Sequence, residues 1–330
     1  MKLYLTPTLA LFSFFLLCLQ PAFSQSCANQ GDLDTIYCDA NRDMVADAPE
    51  TKLLVKPSRL ILGFAAVEDA KAYEIYNPFF DHLSKCTGVP TSPSILTKEA
   101  EVIQAMRDGK VHIGSFATGA TMFAVNMAGS IPFAGKGRES EGKPDQYNLI
   151  VLVKADSPYT KLPDLKGKVV AHTTQTSNSG NLAPRALFPE NGLTPDKDYK
   201  VEYSGKHDKS ILGVQYGFWQ AAAVATDVYE RMIARGEIKA RDFRIIYTSE
   251  GFPPDAFGLA HNIEPAFAKK IKDCFYTFKF PAAMSKGMEG NNRFYPVDYK
   301  KDWQVVRLVA RAAGQRIDRA AYDKLLKGGK

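Results

Sequence analysis

The chain has 330 residues, a formal net charge of +6, five cysteines, and 24% charged against 45% hydrophobic side chains. A chain of this length buries more than one core and divides into domains. Its mild positive charge is spread without a block of five or six like charges, which argues against nucleic-acid binding. The lack of internal repeats or low-complexity stretches argues against a repetitive structural or adhesive protein.

Lys2 is the only charged side chain in the first 24 residues, and Leu9 to Leu19 is an uncharged run. That run falls short of the roughly 20 residues needed to span a bilayer. Ala22-Phe23-Ser24 follows it as a small-x-small cleavage pattern, so residues 1–24 are expected to be a signal peptide and the mature chain to be periplasmic. Neither Cys18, after Leu16 and Leu17, nor Cys27, after Ser24-Gln25-Ser26, fits a lipoprotein signal. Cys27, Cys38, Cys86 and Cys274 then remain, an even number that reads as two disulfides in an oxidising compartment. Cys27 with Cys38 is the natural local pair, leaving Cys86 with Cys274. There is no CxxC to suggest zinc or dithiol chemistry.

Residues 25–57 are polar and irregular, as expected of an extension wrapped on the body. Within them Asp39, Asn41, Asp43, Val45, Asp47 and Glu50 stand at positions 1, 3, 5, 7, 9 and 12 of a calcium-loop pattern. Met44 replaces the usual turn glycine, and Pro49 and the missing flanking helices argue against an EF-hand. A candidate structural calcium and a plain polar loop both remain open.

From Arg59 onward short apolar runs alternate with amphipathic stretches, the signature of α/β units. Strands are expected at Leu60–Ala65, Val111–Ala117 and Asn148–Val153, and helices at Ala72–Cys86, Ala100–Arg107 and Thr118–Met127. A second series follows: strands Val169–His172, Tyr199–Ser204 and Ala221–Ala225, with helices Leu182–Glu190, Asp208–Gly213 and Asp227–Ala234. Strands Arg244–Thr248 and Phe257–Ala260 and helices Glu264–Phe275 and Trp303–Ala313 complete the chain. Two series of similar size imply two lobes, 58–146 plus 252–330 and 147–251, with crossings near Lys143–Tyr147 and Glu250–Asp255. Ligands of α/β sheets bind at strand C-termini and between domains, so the loops after the strands are the place to look.

Two such loops stand out. After Val169–His172 comes Thr173-Thr174-Gln175-Thr176-Ser177-Asn178-Ser179-Gly180, then an apolar helix. A helix N-terminus offers unpaired N–H groups and partial positive charge to an anion. Ser177, Asn178 and Ser179 add neutral donors, although serine and asparagine also cap helices ordinarily. The second loop, Ser204-Gly205-Lys206-His207-Asp208-Lys209-Ser210, places a histidine before a helix. His207 would donate to an oxyanion with its tautomer biased by Asp208; an incidental surface histidine is the alternative. Thr118, opening a helix after a strand, is a further first-lobe candidate.

Asp164-Leu165-Lys166-Gly167-Lys168-Val169 resembles a segment of type II periplasmic binding proteins. Thr176-Ser177-Asn178-Ser179-Gly180, together with Tyr203-Ser204-Gly205-Lys206-His207-Asp208-Lys209-Ser210-Ile211-Leu212-Gly213-Val214, resembles the phosphate/phosphite/phosphonate-binding protein family. The resemblance runs from about Arg59 to about Phe278. It implies an α/β, two-lobed type II periplasmic-binding-protein fold with a ligand cleft between the lobes. It also implies that Ser177, Asn178, Ser179 and His207 grip a small phosphorus oxyanion. Tyr147, Asp227 and Asp255 match positions that surround the ligand amine in aminophosphonate binders. Glu99 lies near a position that is tyrosine in some members, a departure that bears on the ligand's organic tail. Asp227 and Asp255 would repel a phosphonate unless a ligand ammonium lay between them, as in 2-aminoethylphosphonate; ordinary capping of helices or turns is the alternative.

The sequence contains no GxxxxGK[ST], HExxH or GxSxG, and Gly135-Lys136-Gly137 lacks the third glycine of a dinucleotide fingerprint. The expectation is therefore a non-enzymatic, monomeric solute receptor that needs no cofactor. It would deliver a phosphonate to an ABC transporter permease after hinge closure. A phosphite or phosphate receptor, or a secreted phosphoryl-processing enzyme on the same fold, is the alternative.

Overall fold

The computed structural model describes residues 27–65 and 70–328. The expected signal peptide lies outside the described residues. Among the described residues twelve strands form two sheets. The first contains β1 (Leu60–Ala65), β2 (Thr91–Leu96), β3 (Ile113–Phe116), β4 (Ser130–Arg138), β5 (Lys143–Pro144), β11 (Ala256–Ala260) and β12 (Arg293–Pro296), in the order β12-β4-β11-β3-β1-β2 with β5 beside β4. The second contains β6 (Tyr147–Lys154), β7 (Val169–His172), β8 (Lys200–Tyr203), β9 (Ala221–Ala225) and β10 (Phe243–Phe252), in the order β10-β6-β9-β7-β8. The chain passes between sheets twice, at residues 145–146 and 253–255.

In each sheet the central strands are parallel and the returning strands antiparallel. β1 runs parallel to β2 and β3, and β7 parallel to β8 and β9. β11 lies antiparallel to β3, and β6 antiparallel to β9. β9 reads Ala-Ala-Ala-Val-Ala, a composition with strong intrinsic helix preference. It is a strand because all five residues are buried between β6 and β7, with α5 (His207–Gln215) and α6 (Thr226–Ala234) packed against it. Small side chains there let helices approach the sheet closely.

The first lobe is aromatic at its centre. Phe79 from α1 (Asn77–Thr87), Phe275 from α7 (Pro265–Thr277) and Phe294 form close pairs with centroids 4.7–5.0 Å apart. Edge-on and tilted aromatic pairs add about 1 kcal/mol each beyond their buried area. Both expected disulfides are present, Cys27–Cys38 and Cys86–Cys274. The second ties α1 to α7 across 188 residues of sequence. Chain entropy alone makes such a crosslink worth up to about 5 kcal/mol. The Cys86→Ala/Cys274→Ala double variant should therefore lose stability on that scale in urea unfolding, and an unchanged midpoint would exclude it.

Helix α3 (Thr118–Ala128) is buried on every side, which explains its lack of a polar face. Phe123, Ala124 and Met127 join the first lobe's core, whereas Met122 and Val125 join the cluster of the second sheet. The tail departs from expectation. The whole of 252–330 was expected on the first lobe, yet Trp303 and the apolar face of α10 (Gln304–Ala312) pack with Leu149, Val170 and Leu182 of the second. After α10 the chain returns to the first core at α11 (Arg319–Leu326), through Tyr322. Apolar spacing along α10 specifies which face is buried but not which lobe receives it.

The N-terminal extension buries Leu33, Tyr37 and Ala46, and anchors Asp34 between Arg107 (3.2 Å) and Arg319 (2.6 Å). In the loop read as a calcium pattern the acidic side chains accept backbone amides. Asp39 Oδ2 accepts from Met44 N, Asp43 Oδ1 from Val45 N and Asp47 Oδ2 from Ala40 N. Asn41 Oδ1 accepts from Asp43 N. Among the described residues no group of three or more His, Cys, Asp or Glu side chains is placed to hold a metal ion. These turns engage Asp39, Asn41, Asp43 and Asp47, while Glu50 pairs with Lys52 at 2.7 Å and Asp39 Oδ1 is buried without a partner in the protein.

Candidate functional site

The C-terminal ends of β3, β7, β8 and β9 face one cleft between the two sheets. All nine expected ligand residues line it: Glu99, Thr118, Tyr147, Ser177, Asn178, Ser179, His207, Asp227 and Asp255. Its volume of about 1190 Å³ accommodates more than an inorganic oxyanion.

The turn after β7 is built around Gly180. Ser177 caps the π-helical turn Asn178–Leu182 by accepting from Gly180 N at 3.1 Å. A Cβ at Gly180 would stand 1.9 Å from Thr173 Oγ1 and 2.7 Å from Ser177 Oγ, so only glycine allows the loop to fold back on itself. Asn181 fixes the turn from behind. Its Nδ2 donates to Gln175 O at 2.8 Å, while its Oδ1 meets His172 Nδ1, Arg185 Nε and Tyr203 OH. Asn178 and Ser179 are buried, and Asn178 Nδ2 donates to Tyr147 OH at 3.1 Å. Asn178 Oδ1 has no hydrogen-bond partner in the protein.

His207 is the first residue of α5. Its Nδ1 accepts from Ala225 N at 3.2 Å, so its hydrogen sits on Nε2, 3.4 Å from Ser177 Oγ. The tautomer is thus set by a strand amide and not by Asp208, whose Oδ1 accepts from Lys209 N. Burial, and then the nearby Arg231 charge, lower the imidazole to about 4, leaving it a neutral donor at physiological pH.

The opposite wall comes from the first lobe. Glu99, in the first turn of α2 (Glu99–Arg107), accepts from Ala117 N at 2.8 Å at the start of α3. Desolvation, opposed by that amide and aided by Asp255, lifts its carboxyl to about 7. Thr118 Oγ1 donates to Pro253 O at 3.0 Å and so ties α3 to a crossing segment. Gly119 brings the two walls into contact, since a Cβ there would lie 2.0 Å from Thr176 O and 3.2 Å from Asn178 N.

Asp227 lies in the first turn of α6 and Asp255 on the second crossing. Asp227 Oδ1 is buried with no partner in the protein. Desolvation raises Asp255, partly countered by Lys136 and Arg231. Lys136, Arg231 and Glu289 were not singled out in the sequence. The Lys136 ammonium is pushed above its ordinary range by Tyr76 first and then, against desolvation, by Asp255 and Glu289. Arg231 reaches across the cleft from α6 to Glu289, 2.7 Å away on the loop before β12. The Gly-Lys-Gly inside an apolar strand was the available signal for Lys136. Nothing local distinguishes Arg231 or Glu289 from surface charges on helices.

A family model described as the ABC transporter phosphonate periplasmic substrate-binding protein matches residues 62–303. The chain belongs to this family. Among curated relatives, a protein named as the phosphate-import protein PhnD of Mycolicibacterium smegmatis is 28% identical over 210 residues, 61% of this chain and 65% of the relative. The match thus spans just under two thirds of that relative's length. A binding-protein component of an ABC phosphonate transporter from Pseudomonas aeruginosa aligns at a TM-score of 0.66 with 24% identity, covering 82% of this chain and 93% of the other. PhnD1 from Prochlorococcus marinus, solved with methylphosphonate, aligns at 0.68 with 17% identity, covering 79% and 100%. The architecture of this phosphonate-binding-family chain is the two-lobed type II periplasmic-binding-protein fold. Its relatives are substrate-binding components, not enzymes. Among the described residues no helix is long and apolar enough to cross a membrane.

Proposed function

We propose that this chain is the exported receptor of an ABC importer and captures a phosphonate with a cationic tail, of the 2-aminoethylphosphonate type. The unpartnered Asp227 Oδ1 carries this reading. A buried carboxylate oxygen is an acceptor only, and leaving it unmatched costs on the order of 1–3 kcal/mol. A ligand ammonium beside Asp227 and Asp255 meets that need, while Ser177, Ser179 and His207 supply neutral donors to the phosphonate. Carboxylates outnumber lysines and arginines along the cleft, so an anion enters most favourably with its own positive charge. The lobes close on the ligand by bending at residues 145–146 and 253–255, and the closed form is what a membrane permease receives. Residues 1–24 serve as the cleavable export signal in this reading, and the receptor acts as a monomer without a cofactor.

A phosphate or phosphite ligand is the second reading. The Mycolicibacterium relative's name favours it, as does Asn178 Oδ1, an acceptor suited to P–OH. Calorimetric titration with 2-aminoethylphosphonate, methylphosphonate, phosphite and phosphate separates the two. The aminated ligand is expected to bind at least tenfold tighter than methylphosphonate. Asp227→Asn should lower its affinity roughly 10- to 100-fold, the cost of losing a charge-assisted pair, and leave methylphosphonate almost unaffected. Equal affinities that Asp227→Asn does not alter would refute the ammonium assignment.

A further inference from the structure

We propose that Asn291 is a specificity-determining residue, its Oδ1 and the Asp227 carboxylate accepting separate N–H hydrogens of one ligand ammonium. The cleft then admits phosphonates with a primary amine and rejects their N-trimethylated counterparts. The inference rests on the aminophosphonate reading and deepens it by naming the class of amine.

Asn291 stands on the first-lobe loop before β12, lines the cleft, and is only 5% exposed. Backbone bonds shape that loop and hold it to β4: Asn291 N donates to Met288 O at 2.8 Å, and Asn292 N to Gly137 O at 3.0 Å. Arg138 fastens it to the first crossing, since its Nη2 donates to Glu289 O at 3.1 Å and stands 3.3 Å from Asp145 Oδ2. The Asn291 side chain donates to the Asp145 carboxylate. A carboxylate only accepts, so the amide nitrogen is the atom that faces Asp145 and Oδ1 is the atom left over. Asn291 Oδ1 is buried and has no partner in the protein.

Asp227 reaches the same place from the second lobe. It lies one helical turn before Arg231 on the same face of α6. Arg231 Nη1 is 2.7 Å from Glu289 Oε1, on the loop that carries Asn291. Asp145, raised chiefly by burial, also feels the Asp227 charge. Asp227 Oδ1 and Asn291 Oδ1 are thus two buried acceptors, one from each lobe, beside a single interlobe ion pair. Around Asp255 the carboxylates Asp227 and Glu289 face the cations Lys136 and Arg231, so with Asp255 itself ionised one further positive charge balances the set. A primary ammonium brings that charge with three N–H donors and no acceptor, enough to serve both oxygens together. A trimethylammonium brings the charge without a donor and leaves both oxygens unmatched. A hydroxyl donates one hydrogen and serves one of them.

The test is calorimetric titration of the purified protein with 2-aminoethylphosphonate, its N,N,N-trimethyl derivative and methylphosphonate. The primary amine is expected to bind roughly 100-fold tighter than the trimethyl compound, which leaves two acceptors unmatched. Asn291→Ala should bring that ratio down to about tenfold by weakening the primary amine. Asn291→Asp keeps an acceptor while giving up the donor to Asp145, so its ratio should stay near that of the wild type. A ratio as low as about tenfold in Asn291→Asp would assign the selection to the Asp145 contact and overturn the proposal. If Asn291→Ala does not fold, the wild-type ratio and Asn291→Asp decide. Equal wild-type affinities for the two cations would overturn the inference and leave the cationic-tail reading intact. So would a ratio that Asn291→Ala leaves unchanged, the outcome if water alone meets Oδ1 and methyl bulk does the discriminating. Methylphosphonate binding as tightly as 2-aminoethylphosphonate would refute the aminophosphonate reading, and this inference with it.

Discussion

Replacing Gly119 by valine is expected to weaken ligand binding at least 100-fold while the protein still unfolds cooperatively. In an exposed helix, exchanging glycine for a residue with a side chain costs little or stabilises. Here the sign reverses because the new Cβ meets backbone. It would stand 2.0 Å from Thr176 O, with Asn178 N at 3.2 Å, and neither can rotate away as a flexible side chain would. Relief requires the turn at Thr176–Ser179 to withdraw from α3, which pulls Ser177–Ser179 out of reach of the first-lobe wall. The Arg231–Glu289 pair, which spans the same gap, would lengthen with it. Titration of the Gly119→Val and Gly119→Ala proteins, alongside small-angle scattering with and without ligand, reads both effects. Wild-type affinity in both variants would show that the lobes need not meet at this point.

Substituting His207 by leucine should cost 10- to 100-fold in affinity, and His207→Gln should recover most of it. Leucine removes two functions together. In the proposed reading the Nε2–H donates to the ligand, and Nδ1 is the acceptor for Ala225 N, which would otherwise remain buried and unpaired at about 1–3 kcal/mol. Glutamine supplies an acceptor and a donor of similar reach. With the ring lowered to about 4, its own titration contributes nothing to affinity between pH 6 and 8.5. Any pH dependence in that window should therefore persist in His207→Gln. The opposite pattern would assign the titration to the histidine.

Much of this site was readable before any fold was known. Ser177, Asn178, Ser179 and His207 sit immediately after apolar strand runs and before helices, and local chain order alone puts such residues at strand C-termini. Cys27, Cys38, Cys86 and Cys274 paired as their count and spacing suggested. Strands β2, β4, β5 and β12 escaped detection. β4 carries Pro132, Gly135 and Gly137, and β2 is Thr-Ser-Pro-Ser-Ile-Leu, so neither presents a clean apolar alternation. Their strand state comes from pairing with β1, β5, β11 and β12.

Sequence alone determined the α/β alternation and the places of the Ser177–Ser179 turn and of His207 after strands and at helix starts, because these depend on periodicity and on residues adjacent in the chain. Tertiary structure decided what depends on distant residues. It fixed the His207 tautomer through Ala225, balanced Asp255 against Lys136, and paired Arg231 with Glu289. It also raised Glu99 by burying it beside Asp255 and drew α10 onto the second lobe. A charge or an imidazole acquires its chemistry from what the fold brings within a few ångströms, and no local pattern encodes that neighbourhood.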